Sequence, residues 1–387
     1  MGPQGVTHPP PTRSRYEVVI VGGGIAGAAL AYFLAERGLA DVLLLERESQ
    51  PGYHATGRSA ATLNELDAVS ALQRLKVLSA PFLRQPPARF AENRLLDPSG
   101  VMTLFREPLW STLRAAAPAF AASGLHLELL APAEVVARVP LLSVGEFDGA
   151  LLVPDDGHLD VHELLTSYLR HAARRGVERC FAAEVGNIRV EGGRCVGVHA
   201  DECDIRARWV VDAAGAWAGR IAAMARALPI PLEPRRRTIV TFAAPEDVAV
   251  GSWPMVASET HRVYFAPEAG GLLLSPMDET PSEPCDARPD DVALAAGLER
   301  LRTLAPRLVP RTLRRKWAGL RTFAPDRVPV VGEDPQRPGF FWLAGQGGCG
   351  IETSPILGAI AADLIVEGRT ERFEARELSP ARFARDG

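Results

Sequence analysis

Residues 16–46, YEVVIVGGGIAGAALAYFLAERGLADVLLLE, decide the fold. Val18 to Val21 is short, apolar and β-branched, the composition of a strand buried on both faces. Gly22, Gly24 and Gly27 then spell G-x-G-x-x-G, and an Ala/Leu-rich stretch opening on Ile25 and Ala26 reads as a helix to about Arg37, stopped by Gly38. A second apolar run, Val42 to Leu45, ends in Glu46, 24 residues after Gly22. This strand–turn–helix–strand order is the dinucleotide-binding pattern. Gly22 permits the tight turn, Gly24 lets the backbone approach a pyrophosphate, and Gly27 lets helix and strand pack closely. The helix N-terminus offers free N–H groups to phosphate, and Glu46 accepts hydrogen bonds from a ribose. The uncharged run 18–35 is long enough for a membrane span, but the glycines cut it, so no transmembrane segment is expected.

The rest of the composition suits a two-domain globular protein. The chain has 387 residues, 47% hydrophobic and 23% charged, enough to enclose a large cofactor. A net charge of −4 offers no footprint for nucleic acid. The five cysteines are Cys180, Cys195, Cys203, Cys285 and Cys349, an odd number without a C-x-x-C pair. That argues against a disulfide scaffold and against a metal site, and fits a reducing, cytoplasmic location. Residues 1–14 carry no signal-peptide pattern and read as a disordered leader.

Three further segments bear on which dinucleotide is bound. Pro51-Gly52-Tyr53-His54-Ala55-Thr56-Gly57-Arg58-Ser59-Ala60-Ala61 follows the ribose acid, and its small side chains let backbone lie against a flat ring and a phosphate; a plain loop, with Ser59 as a helix cap, is the alternative. Trp209-Val210-Val211-Asp212-Ala213-Ala214-Gly215-Ala216-Trp217 runs from a buried strand into small residues. Gly339-Phe340-Phe341-Trp342-Leu343-Ala344-Gly345-Gln346-Gly347-Gly348-Cys349-Gly350 is a strand entering a glycine loop, followed by a helix from about Thr353 to Val366.

As a set, PGYHATGRSAA, AAGAWA, WAGLRTF (317–323) and GQGGCGIETS (345–354) resemble the D-amino-acid oxidase family of flavoenzymes, and within it the D-arginine dehydrogenase branch, over roughly residues 15–372. The resemblance implies an α/β chain (α+β overall), with a Rossmann-like FAD-binding domain interleaved with a β-sheet-rich substrate domain. Residues 15–80, 150–228 and 326–372 are assigned to the first domain. Residues 81–149 and 229–325 are assigned to the second, and 373–387 to a tail. Strands are expected near 237–244, 262–266 and 271–275, with a hairpin turning at Gly192-Gly193. FAD, held non-covalently, is expected to touch Gly22, Gly24, Ile25, Ala26, Gly27, Glu46, Arg47, Thr56, Gly57, Arg58, Ser59, Ala60, Ala61, Val185, Ala214, Gly215, Trp217, Gly347, Gly348, Gly350 and Ile351. No cysteine stands near Leu320-Arg321-Thr322-Phe323, where relatives that link the flavin through cysteine carry one.

Oxidation of an amino acid at Cα needs orientation more than acid–base machinery, and a carboxylate is best held by an arginine. Arg321 has small and apolar neighbours, and the resemblance implies that it binds the substrate carboxylate; a structural ion pair is the alternative. Arg237 ends the run Arg235-Arg236-Arg237; it reads either as a second carboxylate ligand, as the resemblance implies, or as part of a solvated face. Tyr264 reads either as a substrate hydrogen-bonding residue or as a core aromatic. His54 and His158 sit in turn-like segments and are not expected to act as bases. Arginine-active relatives carry a histidine, a lid tyrosine and a glutamate where this chain has Thr62, Asp67 and Val101, so a small or apolar side chain is expected on the substrate. The resulting expectation is FAD-dependent oxidative deamination of a D-amino acid, with oxygen, a quinone or a dye as acceptor. The alternatives are an N-alkyl amino acid, a 2-hydroxy acid or a biosynthetic intermediate as substrate, an NAD-linked dehydrogenase, or a flavin-binding subunit without turnover. Cys349 is read as a packing residue.

Overall fold

The computed structural model describes residues 10–384. Strand β1 (Arg15–Val21), helix α1 (Ile25–Glu36) and strand β2 (Val42–Leu45) form the unit read from the glycine motif. β1 lies at the centre of a mixed eight-stranded sheet, parallel to β2 on one side and to Cys203–Asp212 on the other. The hairpin Val185–Glu191/Arg194–Ala200 extends one edge and Glu178–Cys180 the other. Phe340–Ala344 runs parallel to the end of Cys203–Asp212, so the strands preceding three small-residue loops finish side by side. This is why segments 190 and 320 residues apart in sequence build one site: the carboxyl ends of adjacent parallel strands share one crevice.

Both faces of this sheet are covered. Val18, Ile20 and Leu44 pack on α1 and on the helices Val161–Arg174 and Ser354–Glu367, while Val19, Val21, Leu43 and Val210 pack on the opposite side with Ile221 and Trp342. The mean burial of β1 is therefore nearly complete, as its β-branched run requires.

A second sheet of eight strands follows the order Arg315–Phe323, Glu233–Ala243, Gly271–Ser275, Val263–Glu268, Met255–Ser258, Val101–Phe105, Gly149–Val153, Glu128–Leu130. Its outer face is covered by helix Asp291–Leu304, whose Leu294, Leu301 and Leu304 meet Phe242, Leu272 and Leu274. Its other face carries Val101, Ile239, Met255, Ala257 and Tyr264. A small three-stranded sheet, Thr62–Leu63, Gly157–Leu159 and Leu96–Asp97, lies between the chain crossings.

Three boundaries differ from the sequence reading. Gly149–Val153, placed by sequence in the FAD-binding segment from residue 150, hydrogen-bonds to Val101–Phe105 in the second sheet, so the chain leaves that sheet only after Val153. Within the expected leader, Thr12 is docked: its N–H and hydroxyl both donate to Glu178, at 2.6 and 2.7 Å. Residues 1–9 of that leader, and 385–387 of the tail, lie outside the described residues. The tail is not loose at its start, because Phe373 and Leu378 are buried in the first core.

Candidate active site

The turn after β1 is built for a close approach. Gly22 has φ +117°, and a Cβ there would lie 2.4 Å from the Ala213 carbonyl oxygen. A Cβ on Gly27 would lie 2.0 Å from the Gly22 carbonyl oxygen, so Gly27 is absent because of packing from the cavity wall it supports. The Thr56 hydroxyl accepts from the Ile25 N–H at 3.1 Å. The first intrahelical bond of α1 runs from Ala28 N to Gly24 O, which leaves the N–H groups of Gly24, Ala26 and Gly27 without partners inside the helix. Such a terminus favours an anion. Glu46 accepts from Gly23 N at 2.7 Å and from Glu48 N at 2.9 Å, which fixes its carboxylate at the end of β2.

Beyond Glu46 stands a flat-walled end. The Arg47 guanidinium lies 4.1 Å above the Trp217 ring, and the His54 ring centre is 4.6 Å from that of Trp217. His54 Nε2 is 2.8 Å from Glu48 Oε1. Burial opposes the Glu48 charge, but His54 and Arg47 outweigh it and lower the pKa. The His54 ring is held between Glu48, Arg47 and Trp217.

These elements line one cavity of about 330 Å³ running from Arg47, Val185 and Trp217 past Gly22, Gly24, Ile25, Ala26 and Glu46 to Gly347, Gly348, Gly350 and Ile351. Thr56, Arg58, Ser59, Ala214 and Gly215 complete the expected wall. Gly57, Ala60 and Ala61 do not line it. Gly57 is required for packing, since a Cβ there would sit 2.7 Å from the Gly52 carbonyl oxygen. Ala60 packs against the substrate sheet, and Ala61 turns away with φ +54°. Ser59 does not cap a helix; its hydroxyl accepts from Ala61 N at 2.9 Å and closes that turn. Sequence reasoning missed the segment around Cys285 and Ala287, which belongs to the substrate half yet lines the same cavity. Arg58 ties it down, pairing with Asp286 and donating to the Ala287 and Ala318 carbonyls at 3.2 and 3.3 Å. Ile239 was also missed, because an aliphatic residue within an apolar strand carries no signal of its own.

At the far end the glycine loop meets Arg315–Phe323. A Cβ on Gly347 would lie 2.4 Å from the Phe323 ring, and one on Gly348 2.9 Å from Arg321 Nη1. The loop's lack of side chains is therefore what lets the Arg321 guanidinium lie along it. Arg321 lines the cavity, half-buried, and has no ion pair or side-chain hydrogen bond among the described residues. Arg237 also lines it but is spoken for. It is 4% exposed, donates from Nε to the Asp278 carbonyl at 2.9 Å, and pairs through Nη2 with Glu279 at 3.1 Å. Burial and the nearby Arg321 charge push its pKa down to about 10. It is not part of a solvated face. Glu279 is shared with Arg327, at 3.0 Å. Burial works against the Glu279 charge, yet Arg327, Arg237 and Arg321 together lower its pKa.

Tyr264 stands behind the cavity wall, 4% exposed, packed with Val101, Ile239 and Met255. By position it packs as a core aromatic, but its buried hydroxyl has no hydrogen-bond partner among the described residues. An unpaired buried hydroxyl costs about 1–3 kcal/mol. Val101 is buried against this group and brings no charge. His158 lies outside the cavity, paired in strand register with Thr62 and Asp97, and burial lowers its pKa. Among the described residues no cluster suited to a metal ion occurs, and no helix is long and apolar enough to cross a membrane.

The cradle, the fixed acid at the end of β2 and the flat-walled end suit an extended dinucleotide, and the second glycine loop lines the same cavity beside Arg321 of the second sheet. Comparisons with known proteins agree. The family described as "DAO: FAD dependent oxidoreductase" matches residues 17–364. Glycine oxidase of Geobacillus kaustophilus is 27% identical over 96% of this chain and 97% of its own length. Its crystal structure superposes with a TM-score of 0.83, covering 96% of this chain and 100% of the other. L-proline dehydrogenase of P. horikoshii gives 0.85 at 26% identity, over 96% and 98%. Mouse mitochondrial sarcosine dehydrogenase is 26% identical over 96% of this chain but 41% of its own.

Proposed function

Because the chain belongs to the DAO family of FAD-dependent oxidoreductases, acting on amino-acid C–N bonds, we propose that its substrate is a small or apolar amino acid oxidised at Cα, with a D-amino acid as the favoured reading. The observation that carries this is Arg321: a guanidinium with no ion pair among the described residues, lying against the glycine loop at the inner end of the cofactor cavity. A substrate carboxylate supplies the missing charge, and a guanidinium holds it in a fixed plane. FAD, when bound, supplies the acceptor for the hydride. Gly22, Gly24, Ala26 and Glu46 would hold its pyrophosphate and ribose, and Gly347, Gly348 and Gly350 would face its ring.

The protein's own task is orientation. Arg321 fixes one end of the substrate, Ile239 gives the wall an apolar face, and the Tyr264 hydroxyl, just behind that wall, is the hydrogen-bonding group that a substrate would reach by a small shift of the wall. Arg237, already neutralised by Glu279, shapes the site and adds less binding. Val101 itself is packed among apolar residues and offers no charge that would reward a cationic side chain. A second reading, an N-alkyl or cyclic amino acid, is supported by relatives named for sarcosine and L-proline. Anaerobic addition of D-, L- and N-methyl amino acids to the yellow protein separates the two. Bleaching by D-alanine or D-leucine but not their L-forms supports the first reading. Bleaching by sarcosine or proline alone replaces it with the second. A flavin that no amine bleaches sinks both.

A further inference from the structure

Lys76 is a buried lysine that the substrate chemistry leaves unused. Helix α2 (Ser70–Arg84) packs against Ser354–Glu367, and from it Lys76, 3% exposed, reaches behind the 347–351 loop. Its ammonium lies 2.8 Å from Asp67 Oδ2 and 3.1 Å from Glu352 Oε1. Each carboxylate uses its other oxygen on backbone: Asp67 accepts from Val69 N at 2.8 Å, and Glu352 from Asn64 N at 2.7 Å. The Cys349 thiol, 4.0 Å from Asp67 Oδ2, completes the group. Gly347, Gly348, Gly350 and Ile351 line the cofactor cavity, and Cys349 between them turns to this cluster instead. A three-charge cluster thus sits one backbone thickness from the cavity's inner end.

Its charge state follows from the environment. Burial opposes the Lys76 charge, but Cys349, Glu352 and Asp67 around it together outweigh burial and raise its pKa well above the ordinary lysine value. Burial pushes the Cys349 thiol up to about 12, so it stays protonated and contributes no charge. Burial raises the Glu352 pKa even against Lys76. The ammonium pairs with both carboxylates, a geometry in which the cluster carries one net negative charge, and removing it would leave the buried Glu352 and the half-buried Asp67 facing each other without a counter-charge.

We propose that Lys76 is a positioning residue for the flavin: pinned between Asp67 and Glu352, it holds the loop that the ring rests on and sets the local charge against which the ring is reduced. A ring that gains electrons is disfavoured by added negative charge nearby and favoured by its removal, and low-dielectric surroundings make the effect felt through a loop. Lys76→Met adds one negative charge to the cluster, Glu352→Gln removes one, and the double variant restores the original sum.

The test is the flavin reduction potential of each holoprotein, measured with dithionite and a reference dye, so it needs no substrate and stands apart from the substrate reading. Lys76→Met is expected to disfavour reduction about tenfold, which is about 30 mV for a two-electron couple. Glu352→Gln is expected to favour it by a similar factor, and the double variant to return to the wild-type value. Lys76→Arg keeps the charge and is expected to stay there too. If Lys76→Met does not fold, Glu352→Gln, which retains an acceptor for Asn64 N, carries the test. A wild-type potential in Lys76→Met or Glu352→Gln, or shifts of the same sign in both, overturns the proposal.

Discussion

The two ends of the cavity are made in different ways. In the cradle beside the outer end, the surface that would meet phosphate is backbone: Gly22, Gly24 and the opening turn of α1, held in place by Glu46 and Thr56, which also line the cavity. At the inner end it is side chain: Arg321 and Arg237 from neighbouring strands of the second sheet, Tyr264 behind them, and their counter-charges from elsewhere. A backbone site depends on conformations that one glycine allows and alanine does not. A side-chain site depends on which partners each charge has already found. Arg321 and Arg237 are alike as residues, yet Glu279 pairs directly with Arg237 and only faces Arg321 at longer range.

The sharpest way to break the contrast is at Gly22. Gly22→Ala places a methyl 2.4 Å from the Ala213 carbonyl oxygen at φ +117°. FAD affinity is expected to fall at least about 100-fold, since strain and collision act together, read as flavin absorbance retained through purification. A variant that stays fully yellow would show that the turn has slack.

At the inner end, Arg321→Met is expected to keep FAD and lose about 1000-fold in kcat/KM on the best amino acid, the scale of a lost carboxylate clamp. Its thermal stability is expected to hold, because no native ion pair is broken. Arg237→Met is expected to lose only about tenfold in kcat/KM and to cost stability, because it leaves its share of Glu279 and the Asp278 carbonyl unpaired. Equal activity losses in the two variants would erase the distinction drawn between them.

Tyr264→Phe is a finer test. It removes a hydroxyl that has no partner among the described residues, so the melting temperature is expected to hold or rise. The kcat/KM is expected to fall about tenfold, the value of one neutral hydrogen bond made only to substrate. A drop in stability with unchanged kinetics would return Tyr264 to the core.

The smallest effect is outside the cavity. Burial holds the His158 pKa below its usual 6.5, so the unfolded chain takes up this proton first. His158 therefore costs no stability above pH 6.5, and a loss develops as pH falls through 6.5 towards the lower folded pKa. His158→Gln is expected to flatten the acid side of the melting-temperature profile by about 2 °C or less between pH 7 and pH 5. A profile unchanged by the substitution would mean that the ring finds a proton acceptor on charging.

What was legible in the sequence follows the same division. β1, the glycine turn, α1 and β2 could be read because each is specified locally: a strand run, a turn that requires glycine, a helix and its stop within about thirty residues. The hairpin at Gly192-Gly193 and the helix after Thr353 were legible for the same reason. The border after Val153 was not, because nothing local tells Gly149–Val153 which sheet to join; its pairing with Val101–Phe105 settles that. Arg321 stood out among small and apolar neighbours, but its freedom, the capture of Arg237 by Glu279, and the placement of Lys76 between Asp67 and Glu352 are long-range pairings. The sequence by itself determined the cofactor cradle, because backbone conformation is a local property. Only the tertiary structure decided which charges remain available for substrate, because a charge is neutralised by whatever the fold brings within reach, however distant in the chain.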